Sequence, residues 1–146
     1  MNRKEFLKTC GFGCLAGLSA LTFLQSCGSS QILEKEIIGS DILVLLTDFE
    51  IKKGETIKYK KYVIIANKKL KYPICVYRFN ADNYSALLMQ CTHQDAELQV
   101  FGDKLHCSAH GSEFNNRGTV KSGPADRNLR SFPIIIDNNT LKISLK

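Results

Sequence analysis

Two short segments, Cys91-Thr92-His93 and Cys107-Ser108-Ala109-His110, each supply one thiol and one imidazole, with thirteen residues between His93 and Cys107. A fold that uses them must bring two separate loops to one place. That requirement constrains this chain more than its composition does. Thiolates favour soft centres such as zinc and iron–sulfur clusters, and imidazole suits zinc and iron, so residue type alone leaves both open. Zinc fingers usually group Cys with Cys and His with His. One Cys and one His from each of two similar loops suits a binuclear cluster clamped between them.

The surrounding residues narrow the choice. The runs Cys91-Thr92-His93-Gln94, Cys107-Ser108-Ala109-His110-Gly111-Ser112-Glu113-Phe114-Asn115 and Ser122-Gly123-Pro124-Ala125 resemble the cluster-binding part of the Rieske iron–sulfur proteins. The resemblance extends over residues 60–146. It implies a Rieske-type [2Fe–2S] cluster, with Cys91 and Cys107 on a buried iron and His93 and His110 on an outer one. A lone zinc ion in a structural module is the alternative. Neutral imidazoles in place of thiolates raise the potential, to about −150 to +300 mV against about −400 mV for plant-type ferredoxins.

The same resemblance assigns roles around the ligands. High-potential members carry two further Cys, one in each ligand loop, joined by a disulfide; the matching positions here are Ala96 and Ala109. Ser112 matches the serine whose hydroxyl donates to a bridging sulfur. Where high-potential members have a Tyr that donates to a ligand sulfur, this chain has Phe114. A missing hydrogen bond to sulfur destabilises the more negative, reduced cluster, which predicts a potential in the lower half of the range. Gly111 is expected to let backbone approach the cluster closely, and the Gly123-Pro124-Ala125 turn to cover one side of it. His106 fits no ligand position, and strand alternation points it away from Cys107.

Residues 1–27 open with Arg3, Lys4 and Lys8, continue through an apolar run over 11–24 and end Leu24-Gln25-Ser26-Cys27. The run is short and rich in Gly and Ala for a spanning helix and fits a signal peptide. It resembles a bacterial lipoprotein signal, which implies that Cys27 becomes the lipidated first residue of a mature chain 27–146. Asn2-Arg3-Lys4-Glu5-Phe6-Leu7-Lys8 also resembles a twin-arginine export motif, with Lys4 at the second Arg. That route moves folded proteins, as a cluster assembled in the cytoplasm would need. An uncleaved N-terminal anchor helix is the other reading. Both predict an exported domain, membrane-anchored on the extracytoplasmic side, with 28–40 as linker and 41–146 as the cluster-binding domain.

The whole chain carries a formal charge of +6. Its lysines between 52 and 71 are spread without aromatic interleaving or a basic helix, which reads as a solvated basic face and argues against nucleic acid as partner. Short apolar runs rich in Val, Ile, Tyr and Phe predict strands over 42–46, 62–66, 74–79, 85–90, 98–101, 105–107, 132–136 and 141–145. Gly102-Asp103 predicts a hairpin that brings the two ligand loops to one end. The five tyrosines, Tyr59 among them, are read as packing residues. Cys75, inside a strand, reads as an inert packed thiol. The expected fold is all-β: a Rieske-type antiparallel sandwich or small barrel with an inserted cluster-binding subdomain.

The expected function is one-electron transfer, as a membrane-tethered carrier or the iron–sulfur subunit of a respiratory or quinol-oxidising complex. The redox partner would dock at the His93/His110 tip. A ferredoxin-like component of an oxygenase system is the second reading. No further set of two His and a carboxylate exists, since only His106 is left over. The chain is not expected to be catalytic alone.

Overall fold

A computed structural model describes residues 31–146. The export segment and Cys27 lie outside the described residues. A central five-stranded sheet has the order β1 (Ile32–Glu34), β6 (Tyr62–Ala66), β7 (Ile74–Arg78), β8 (Tyr84–Leu88) and β13 (Ser131–Phe132). β7 is apolar on both faces, and Ile74, Cys75, Val76 and Tyr77 are all buried. A strand of that composition belongs in the middle of a sheet covered on both sides.

The two faces feed two cores. Ile74 and Val76 join Val63, Ile65 and Ala86 against a second sheet, and Phe49 completes this core. That sheet has the order β14 (Ile134–Asp137), β15 (Thr140–Ser144), β3 (Asp41–Leu45) and β2 (Ile37–Ile38), and contributes Ile42, Val44, Leu141 and Ile143. Cys75, Tyr77, Leu87 and Met89 face the other way, into a core that includes Leu98, Leu105, Phe114, Cys91 and Cys107. The third sheet closes it, in the order β12 (Val120–Ser122), β11 (Glu113–Asn115), β10 (Lys104–His106) and β9 (Gln99–Phe101). Each fully buried Leu, Ile or Phe contributes about 1.5–3 kcal/mol, so the cluster-binding subdomain has its own apolar foundation. A separate hairpin, β4 (Glu50–Lys53) and β5 (Thr56–Tyr59), stands apart from all three sheets.

The all-β expectation is met, but β4, β5, β11 and β12 fall where no strand is expected, and three further points differ. The segment expected as one strand over 132–136 is two: β13 pairs with β8, and β14 pairs with β15. Pro133 divides them, because it has no N–H for either ladder and lets the chain cross from one sheet to the other. Residues 31–40, expected as linker, carry β1 and β2, and β1 pairs parallel with β6 in an otherwise antiparallel sheet. Tyr59 is half exposed rather than packed in a core, with the Arg78 guanidinium 4.0 Å above its ring. Among the described residues no helix is long and apolar enough to cross a membrane.

Candidate metal centre

The two ligand loops are built on one backbone scheme. After β8, Gln90 bridges to Glu97 and the chain turns through residues 91–96. The Cys91 N–H donates to the Ala96 carbonyl (2.8 Å), and the Asp95 N–H donates to the Cys91 carbonyl (3.0 Å). After β10, the Cys107 N–H donates to the Ser112 carbonyl (2.8 Å) and the Gly111 N–H to the Cys107 carbonyl (2.8 Å). In both loops the residue that donates back to the cysteine carbonyl has positive φ, +53° at Asp95 and +80° at Gly111. The β9–β10 register, with Gln99 opposite His106, carries both loops to one end, and Gly102-Asp103 makes the turn. The hairpin read from the sequence is therefore present.

This geometry separates the thiols from the imidazoles. Cys91 and Cys107 have no exposed surface, while His93 and His110 are exposed. The two imidazole centroids lie 5.0 Å apart, edge to face at 78°. Cys75, Cys91 and Cys107 are all free thiols, so no disulfide ties the loops through the positions of Ala96 and Ala109.

The segment 123–127 crosses both loops. At Gly123, φ is +92°, and a Cβ there would stand 2.4 Å from Ser112 Cα. Within the protein the closest backbone approach is made at Gly123, whereas a Cβ on Gly111 meets no protein atom within 4 Å. Glycine at 111 serves the left-handed turn, at a φ of +80°. Pro124 is exposed on this strap. The Ala125 N–H donates to Ser112 Oγ (3.1 Å), and Ser112 is fully buried. With that oxygen accepting, the hydroxyl proton remains to be donated. At the other loop the strap forms a reciprocal pair: Thr92 Oγ1 donates to the Arg127 carbonyl (2.7 Å), and Arg127 Nη2 donates to the Thr92 carbonyl (3.1 Å).

Three side chains outside the recognised motif brace the first loop. Besides Arg127, the Tyr72 hydroxyl donates to the Asp95 carbonyl, and Gln90 Nε2 donates to Asp95 Oδ1 (2.7 Å). Sequence reading misses all three: Tyr72 and Arg127 reach the loop from other parts of the chain, and Gln90, next to Cys91, belongs to no motif.

Beneath the site Phe114 is fully buried, opposite Leu105. Burial pushes the Cys75 thiol well above its ordinary range, which keeps it protonated and unreactive. Burial, with the neighbouring Cys75, also raises Tyr77. The Tyr77 hydroxyl forms no well-made hydrogen bond among the described residues. His106 stands apart from the ligands, its Nδ1 3.6 Å from Glu113 Oε1. A hydrogen bond from Lys104 (2.6 Å) holds that Glu113 carboxyl below its usual range.

Among the described residues no three His, Cys, Asp or Glu side chains gather as ligands for a single ion. The donor set fits a two-iron cluster: two buried thiols, two exposed imidazoles and a buried hydroxyl with a proton to give. The model of the Rieske [2Fe-2S] domain family matches residues 31–133, and the chain belongs to that family. Its cofactor is a Rieske-type [2Fe–2S] cluster, and its function is one-electron transfer through it.

Solved structures resemble it accordingly. One is the cyanobacterial plasma membrane Rieske protein PetC3 from Synechocystis PCC 6803, at 28% identity and a TM-score of 0.50, over 57% of this chain and 86% of that one. A ferredoxin of Sphingomonas yanoikuyae B1 is 23% identical, with a TM-score of 0.46, over 60% of this chain and 87% of that one. Apo dicamba monooxygenase is 27% identical, with a TM-score of 0.43, over 59% of this chain and 29% of that one. Comparison with curated protein sequences finds no match.

Proposed function

We propose that Cys91 and Cys107 bind the inner iron, that His93 and His110 bind the outer iron, and that a redox partner docks over the two imidazoles. The observation that carries this reading is the split in exposure: both thiols are buried and both imidazoles are exposed, 5.0 Å apart. When bound, the cluster supplies reversible one-electron transfer. The chain's own residues set its environment. Cys91 and Cys107 exclude water from one side, while His93 and His110 give the electron a short exit. Ser112 donates its hydroxyl proton to sulfur, and Phe114, lacking a hydroxyl, donates nothing. The reduced state, more negative at sulfur, gains less here than in a protein with a Tyr at that position, so the potential lies in the lower half of the family range.

In this reading the domain is an exported carrier, or the iron–sulfur subunit of a respiratory or quinol-oxidising complex, tethered to lipid at Cys27 or by an uncleaved anchor. The apolar segment ending Leu24-Gln25-Ser26-Cys27 supports the tether, as does the likeness to a plasma membrane Rieske protein. A ferredoxin-like role in an oxygenase system is the second reading, favoured by the absence of a disulfide between the ligand loops. Electron spin resonance of the reduced protein, with iron and acid-labile sulfide analysis, tests the ligand assignment. The mixed Cys/His signature should vanish in Cys91→Ala and in His110→Ala. A signal that survives either substitution overturns it. The mass of the mature chain tests acylation at Cys27.

A further inference from the structure

We infer that the end of the domain opposite the imidazoles is a docking surface for an anionic lipid headgroup layer, so that the cluster faces away from the membrane. The inference deepens the proposed tether, which supplies the direction of approach.

Strand directions define the two ends. β6 begins at Tyr62, directly after Lys60 and Lys61. β1 runs parallel to it with Ile32 beside Ile64, and the Ile64 N–H donates to the Gln31 carbonyl (2.6 Å). The described chain therefore enters from the side where β6 starts. β8 is antiparallel to β7, and β7 to β6, so β8 delivers Cys91 at the far end. Tyr72, in the connection from β6 to β7, reaches Asp95 there. The β9–β10 turn returns to the near end, where Asp103 Oδ1 lies 3.5 Å from Lys61 Nζ.

The near end has the make-up of an interfacial surface. Residues 50–61 hold five Lys and two Glu. The β4–β5 register pairs Lys52 with Ile57 and Glu50 with Tyr59, which puts Ile57 and Tyr59 on one face with Lys52. Ile57 is 52% exposed and Tyr59 49%. Phe101, 53% exposed, leads into the Gly102-Asp103 turn, and Lys104 follows it. Exposed aromatic and aliphatic side chains set among lysines suit the boundary between headgroups and acyl chains, and the lysines favour anionic headgroups. Cys27 is four residues ahead of Gln31. At about 3.3–3.6 Å per residue, a lipid there reaches no more than about 15 Å from this end. An acidic protein would satisfy the lysines but would not explain Ile57 and Phe101 beside the tether.

The test uses the proposed mature chain, residues 27–146 with Cys27→Ser, so that neither an acyl group nor the apolar run over 11–24 anchors it, and vesicles of phosphatidylcholine with or without phosphatidylglycerol. Co-sedimentation should require phosphatidylglycerol and weaken with salt. Lys52→Glu/Lys53→Glu/Lys58→Glu should reduce it at least about tenfold, with the cluster's visible spectrum unchanged as the check on folding. The chain contains no Trp, so Ile57→Trp gives a single reporter whose emission should shift to the blue on anionic vesicles. Ser108→Trp, beside the imidazoles, should not shift. Equal binding by the charge-reversed chain, a shift at 108 in place of 57, or binding to an acidic redox protein with none to vesicles would each overturn the inference. An unacylated Cys27 in the mature chain would refute the lipoprotein tether alone.

Discussion

The loops at 91–96 and 107–112 share a hydrogen-bonding scheme but are held in place by different means. The second is braced by backbone: Gly123 packs against Ser112 where no side chain fits, and the Ala125 N–H lands on the Ser112 hydroxyl. The first is braced by three side chains, Gln90 just before it and Tyr72 and Arg127 from farther along the chain. Its left-handed residue is Asp95, where the second loop uses Gly111. Backbone bracing is written into a few small residues, and little can be removed without collapse. Side-chain bracing is divided among weaker links, each separately dispensable.

That contrast orders the expected effects of substitution. Gly123→Ala forces a Cβ into the Ser112 backbone at a φ of +92°, which should cost about 3 kcal/mol or more and leave little loaded protein. Gly111→Ala, at a φ of +80° with open space around it, should cost only about 1–2 kcal/mol. Denaturant melts of the two variants decide the matter, and equal losses would break the distinction between turn and contact. Tyr72→Phe removes one hydrogen bond to the first loop and should cost about 1 kcal/mol, with faster bleaching of the cluster's colour. Phe114→Tyr should raise the potential by about 40 mV, one hydrogen bond's worth for one electron, in a redox titration; no rise would refute the role given to Phe114. Arg127→Ala removes an exposed hydrogen bond and should cost only about 0.5 kcal/mol. A larger loss would mean that the strap, and not Tyr72, governs the first loop.

How much of this the sequence reveals follows the same division. The second loop is legible because its parts are contiguous or glycine-marked: Cys107, His110, Gly111, Ser112 and the Gly123-Pro124 turn. The bracing of the first loop is not, since neither local pattern nor spacing connects Tyr72 with Asp95 or Arg127 with Thr92. Strands with one buried face, such as β6 and β15, are read close to their true bounds from alternation. β4 and β5 escape because neither face is buried, so no apolar period marks them. β1 and β2 escape because they are short edge pieces with exposed Ile32 and Ile38. Pro133 was the visible sign that 132–136 could not be one strand, and its missing N–H is the reason.

The burial of Cys91 and Cys107 also bears on timing. Iron and sulfide reach two sulfurs that have no exposed surface only while the loops that cover them are apart. Nor do thiols ligate until they give up their protons. Loading therefore requires that the two loops and the 123–127 strap be parted, before they first close or by opening again. If the chain is exported folded, as proposed above, the compartment in which the two loops close is the one that supplies the iron.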